Sequence, residues 1–377
     1  MPGHATKVSS GEKAKPGAGP DDSLQNSNID ITNSYKGYVK KKVIFIIILA
    51  AGTFAALVLS ISTGSSGMSI PDIIRTMFGG GSAQETTIVW NMRMPRLFTA
   101  LVGGTGLSIV GCVMQSVLRN PMASASTLGV SQGAAFGAAF AIVILGAGSQ
   151  IGGNATFQLS DPYSISVCAF LGSMISTMVI VIMGKFKSMR AESMILTGVA
   201  LGTLFSGLTA MMQFFADEVQ MASIVYWTFG NLGNTTWREI IIMAVVTAFA
   251  FVFFMINRWN YNAFLGGENT AKGLGVNVNA LRLASMIVGA LAASVITSYV
   301  GVLNFIGLIA PHIVRRVIGN DYRFLLPASA FAGAILLLVS DAATRLIVPP
   351  QVLPIGAITS FIGTPFFLWL IFRERKR

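Results

Sequence analysis

Residues 43–62 run without one charged side chain. A helix of that length rises about 30 Å, the thickness of a bilayer's hydrocarbon core. Runs of similar character recur along the chain, and they constrain the fold more than any other feature. Only 11% of residues are charged and 53% are hydrophobic, where a soluble domain carries about a quarter charged residues. Too little polar surface remains to cover a water-soluble globule, so the chain belongs in a membrane. Backbone groups in lipid must be satisfied within the segment, so each run is read as a helix. Ten spans are expected, near 43–62, 97–116, 128–147, 163–184, 193–215, 238–256, 283–300, 302–319, 325–347 and 353–372. The stretch 283–319 is apolar almost throughout, and it is divided at Gly301, with Pro311 a second interruption.

Charge placement tests this map. With a cytoplasmic N-terminus, only Arg75, Arg93, Arg96, Arg238 and Arg345 of the 26 Lys/Arg fall in outer segments, and all others fall in inner ones. That is the bias of the positive-inside rule, and it places both termini in the cytoplasm. The net charge of +11 is therefore topological and implies no nucleic-acid partner. Residues 1–38, rich in Gly, Ser, Asn and Lys, are expected to form a tail without regular structure. Residues 39–377 are expected to form a single transmembrane domain. The apolar run behind Lys40–Lys42 is too long for a signal peptide and reads as an uncleaved first helix. Cys112 and Cys168 lie inside expected spans and read as small packing residues.

Glycines at four-residue spacing, Gly129, Gly133 and Gly137, then Gly198 and Gly202, suit close helix packing in lipid. Catalytic groups are not apparent. Asp341 is the one acidic residue well inside a span, and Arg345 one turn later suits an ion pair. His312 has no neighbouring metal-ligating residues in sequence, and no P-loop is present. If the chain carries out energised transport, the energy comes from another polypeptide. A proton-coupled secondary transporter of unrelated fold is the alternative. A membrane enzyme or anchor would need polar groups that the sequence lacks.

Several ordered blocks carry a family resemblance. Met92-Arg93-Met94-Pro95-Arg96-Leu97 is followed by Gly111-Cys112-Val113-Met114-Gln115 and Arg119-Asn120-Pro121-Met122-Ala123. Phe305-Ile306-Gly307-Leu308, Pro311-His312-Ile313-Val314-Arg315, Leu353-Pro354-Ile355-Gly356 and Gly363-Thr364-Pro365-Phe366 come later. Together they resemble the FecCD-type permeases of ABC importers for iron-siderophores, haem and cobalamin. Val352, Ala125 and Tyr322 depart from the family's usual glutamate, proline and histidine.

The resemblance implies an all-α fold of ten helices in two inverted five-helix halves. It implies a homodimer, two cytoplasmic ATPase subunits and an external substrate-binding protein. The chain itself is expected to be no enzyme and to bind no cofactor or metal, with ATP and Mg held by the ATPases. Arg93, Arg96 and Arg345 match positions that dock the binding protein. Asn120, Pro121 and Met122 match a turn closing the cytoplasmic end of the path, with Gln115 a polar contact above it. Gly267-Glu268-Asn269-Thr270-Ala271-Lys272-Gly273-Leu274-Gly275 resembles the segment that couples to the ATPase. There Ala271 is expected to seat in an ATPase groove, and Glu268 to pair with a basic residue of that subunit. A short helix near 267–273, stopped by Gly273 or Gly275, accounts for its composition.

Overall fold

A computed structural model describes residues 20–64, 68–152, 156–159, 161–187 and 191–374. Its helices in chain order are α1 (Pro20–Ser62), α2 (Ile70–Met77), α3 (Ala83–Thr87), α4 (Met94–Val117), α5 (Val130–Val143) and α6 (Pro162–Lys187). They continue with α7 (Ala191–Phe215), α8 (Glu218–Thr228), α9 (Trp237–Ile256), α10 (Arg258–Phe264) and α11 (Glu268–Gly273). The last four are α12 (Val278–Val300), α13 (Ile306–Ile318), α14 (Tyr322–Leu346) and α15 (Ile355–Glu374). One antiparallel hairpin, β1 (Ser149–Gly152) with β2 (Thr156–Leu159), joins α5 to α6, a small departure from the all-α expectation. Residues up to Ile44 form one unit and Phe45–Arg377 a second. Within the first, Lys42 Nζ lies 3.9 Å from the Tyr38 ring centroid, one turn away.

Among the described residues, seven helices are long and apolar enough to cross a bilayer. They lie at 35–62, 83–117, 162–185, 191–215, 237–256, 278–300 and 322–346. Shorter apolar helices occur at 130–143 and 355–369. Most of their outward surface is apolar, as a lipid-facing surface must be. Ile47, Phe54, Leu196, Phe214, Val245 and Phe361 are all exposed.

Boundaries moved where glycine or proline intervenes. The third span, expected over 128–147, is the shorter α5, because Gly129 takes a left-handed φ of 76° in front of it and Gly146 one of 69° behind. Gly129 thus opens the helix and also packs closely, since a Cβ there would meet Ser176 Oγ of α6 and the Gly198 carbonyl of α7. Gly301, at φ 82°, ends α12 where the split was expected. Pro311, by contrast, lies inside α13 and does not end it. The first helix reaches back to Pro20, into the segment expected to be irregular; extending an existing helix is far easier than nucleating one. Residues 1–19 lie outside the described residues.

α4 is the centre of the larger unit, buried along nearly its whole length against α9, α12, α13 and α14. Glycine makes these approaches close. A Cβ at Gly111 would collide with the Gly307 carbonyl on α13, and one at Gly104 with the Gly333 carbonyl on α14. Gly133 and Gly137 of α5 meet the backbone of α6 at Gly172 and Cys168 in the same way. Gly198 of α7 meets Leu128, whereas Gly202 has ordinary room. Small residues therefore set helix separation here.

Candidate functional site

α4 carries a candidate site at each end. Its N-terminal end begins at a π-helical turn, Ile88–Arg93, and presents Arg96 to α14. There Asp341, fully buried, accepts from Arg96 Nε at 2.7 Å and from Arg345 Nη2 at 2.7 Å. The i,i+4 pair read from sequence is thus half of a three-residue bridge. Arg345 also donates to the carbonyls of Ser60, at 3.0 Å, and Thr63, and to Ser60 Oγ at 2.9 Å. Arg93 Nη1 donates to the Ile61 carbonyl at 2.7 Å. Those carbonyls close the C-terminal end of α1, where a helix leaves acceptors unpaired and favours positive charge.

The three arginines expected to dock a partner are thus gathered in one place. They are also largely covered: 9% of Arg93 is exposed, and 16% and 12% of the Arg96 and Arg345 side chains. Trp237 marks the same level of the structure, with Nε1 donating to the Trp90 carbonyl at 3.1 Å and its ring 5.5 Å from Phe98. Such aromatics sit preferentially at a membrane–water interface.

At the other end, α4 stops at Val117 and the chain turns sharply. Arg119 adopts a left-handed φ of 47°. Asn120 Oδ1 accepts from the Met122 N–H at 2.8 Å, so the asparagine pairs a backbone group freed at the break. Pro121 and Met122 are exposed. Gln115, expected to face a path, turns into the protein in this structure. Its Oε1 accepts from Arg315 Nη1 at 2.8 Å, and its Nε2 lies 3.4 Å from the Gly307 carbonyl. Pro311 accounts for that last contact: having no N–H, it leaves the carbonyl four residues earlier without its helical donor.

The segment after α10 folds as expected in outline. Gly267 has φ 102°, α11 follows, and Gly275 stops it with φ 82°. Two side chains differ from the expectation. Ala271 is fully buried against this chain's own body, so it does not present itself to a partner's groove. Glu268 pairs with Arg282 of α12, within the chain rather than across an interface. The outward face is made by Asn269, Thr270, Lys272 and Leu274, the last 69% exposed. Ile256, Trp259 and Leu265 add exposed apolar surface in the neighbouring sequence.

Arg282 is a buried residue at this end to which the sequence assigns no role. In sequence it is one of the inner-segment charges, yet it is 2% exposed and its Nε donates to the Val117 carbonyl at 2.9 Å. A charge one position before a long apolar run is the signal that was available. Nearby, Asn262 of α10 donates to Asp321 Oδ1 at 3.0 Å and accepts from the Tyr322 N–H at 2.8 Å. Burial alone would raise the Asp321 pKa. Hydrogen bonds from Arg323 and Asn262 outweigh it and hold the carboxyl below its ordinary value. Among the described residues, no group of three or more His, Cys, Asp or Glu is placed to hold a metal.

Comparison with known proteins places the chain in a family. The model of the FecCD transport family matches residues 52–373. An ABC transporter permease protein of Methanocaldococcus jannaschii is 45% identical over 349 residues, covering 93% of this chain and all of that protein. An Fe(3+)-citrate import system permease of Bacillus subtilis is 34% identical, covering 90% of this chain and 98% of its own. A solved inward-facing ABC transporter of metal-chelate type superposes with a TM-score of 0.75 at 27% identity, covering 87% of this chain and 98% of that one. On the extent of these matches, the chain belongs to the FecCD transport family.

Proposed function

We propose that this multi-pass membrane permease imports a ferric chelate, with haem and cobalamin the other cargoes that the family resemblance suggests. The chain is the transporter subunit and no enzyme; separate ATPase subunits, holding ATP and Mg, supply the work. Two copies form a homodimer, each crossing the membrane ten times in two inverted halves with both termini in the cytoplasm. The exposed apolar faces of α7 and α15 are the surfaces on which the partner copy and the path would form. An external binding protein docks at the Arg93, Arg96 and Arg345 end. That patch keeps two net positive charges after Asp341 is counted, which suits acidic groups on a partner.

The turn at Asn120, Pro121 and Met122, with Gln115 behind it, gates the cytoplasmic end. The segment Gly267, Glu268, Ala271, Gly273, Leu274 and Gly275 receives the ATPase. Its internal residues Glu268 and Ala271 hold the shape, and Leu274 makes the contact. One observation carries the reading: a single buried helix, about 36 Å long at 1.5 Å per residue, has the arginine cluster at one end and the coupling segment at the other. A low-dielectric path for a bulky chelate must hold it weakly, so binding energy from nucleotide must drive the switch between faces.

The test is reconstitution of the chain with its ATPase and binding protein in liposomes. ATP-dependent accumulation of ferric citrate, unaffected by collapsing the proton gradient, is expected. Uptake that follows the proton gradient and ignores ATP would overturn the proposal.

A further inference from the structure

Arg282 touches two elements that the proposed function treats separately. Its Nη2 pairs with Glu268, the first residue of α11, and its Nε holds the Val117 carbonyl, the last of α4, at 2.9 Å. The gate turn begins three residues beyond Val117, at Asn120. Arg282 itself is the fifth residue of α12, at the start of its second turn, in a long helix buried over most of its length. Arg282 is 2% exposed, so its guanidinium depends on these two protein partners for its donors, although Glu268 itself is 33% exposed.

We propose that Arg282 is the positioning residue that transmits displacement of the coupling segment to the cytoplasmic end of α4. The argument rests on the reading of 267–275 as the ATPase contact. A guanidinium is a planar fork whose donors point in fixed directions, so it can hold a carboxylate and a carbonyl at once in a set relation. The carbonyl lies at a helix C-terminus, where positive charge is favoured. A shift of Glu268 with α11 therefore pulls the guanidinium, and with it the end of α4. Ala271 strengthens the linkage, because its burial keeps α11 seated on the chain's own body. Coupling of this kind needs an element that both sites bias, and the end of α4 is that element.

The test compares Arg282→Lys with the parent chain in the full complex, reading ATPase capture, stimulated ATP hydrolysis and cargo transported per ATP. Lysine keeps the charge that compensates Glu268 but loses the fork. A merely structural charge is rescued by lysine; a strut is not. Capture and hydrolysis close to the parent's, with transport per ATP down about ten-fold, is expected. The labelling rate of Met122→Cys by a cytoplasmic thiol reagent should also stop responding to nucleotide. An unchanged ratio of transport to hydrolysis, whether both stay high or both fall together, would overturn the proposal. If Arg282→Lys fails to accumulate, Glu268→Gln with the same labelling readout decides: a retained nucleotide response sinks the strut. Failure of the underlying reading has a different signature, since Leu274→Asp would then leave ATPase capture intact.

Discussion

The two ends of α4 are both held by arginine, but they are built differently. At the N-terminal end, one fully buried carboxylate sits between two guanidiniums, and further donors from Arg345 and Arg93 fasten α1 to α14 and α4. Every charge there faces another group of the same body, on long helices. At the other end, the ion pair that holds the end of α4 to α11 has a carboxylate, Glu268, that is 33% exposed. It stands on a six-residue helix bounded by glycines at positive φ. Long helices joined by several buried bonds open only when the whole unit opens, whereas a short glycine-bounded helix opens locally at lower cost. The contrast separates a firmly bonded platform at one end from a locally openable lever at the other.

Removing the shared carboxylate is the harshest way to test this contrast. Asp341→Ala leaves both Arg96 and Arg345 uncompensated, and breaking a buried pair costs about 3–5 kcal/mol. Thermal melting of the detergent-solubilised protein should fall sharply, and much of the protein should be lost from the membrane. A melt within a degree or two of the parent's would mean the N-terminal end of α4 is no platform.

A milder change addresses the lever. Ala271→Val adds volume at a site with no exposed surface, and overpacking costs about 1–3 kcal/mol. Because α11 is short and terminal to its own contacts, that cost should appear as local opening. Hydrogen exchange at 268–276 should accelerate while α4 and α14 stay protected. Uniform acceleration across the protein would show that lever and platform are one cooperative unit.

The smallest effect is a pH dependence near the lever. The Asp321 carboxyl titrates lower in the folded chain than when unfolded. Its contribution is therefore complete above the unfolded value, about 4, and is lost as pH falls through the lower folded one. Acid melts of the parent should show a shallow extra loss below pH about 4, which Asp321→Asn removes. An identical acid profile in both proteins would count against the Asn262–Asp321 tie between α10 and α14.

Much of this was legible in the sequence because it depends on neighbours along the chain. The apolar runs, the helix end at Gly301, the glycine-bounded α11 and the Asp341–Arg345 pair all follow from helical periodicity or from backbone freedom at glycine. The gathering of Arg93, Arg96 and Arg345 is implied by the family resemblance and by the span map, which places all three on one side. What tertiary structure decided was which way side chains turn. Arg96 reaches Asp341 across 245 positions, Arg315 reaches Gln115 across 200, and Arg282 reaches Val117 across 165. Those partners depend on how helices rotate and cross, set here by glycine contacts such as Gly111 on Gly307. Ala271 shows the reason plainly. A small residue in a coupling motif fits closely against something, and sequence cannot say whether that is a partner or the chain's own body, because either surface satisfies the same local pattern.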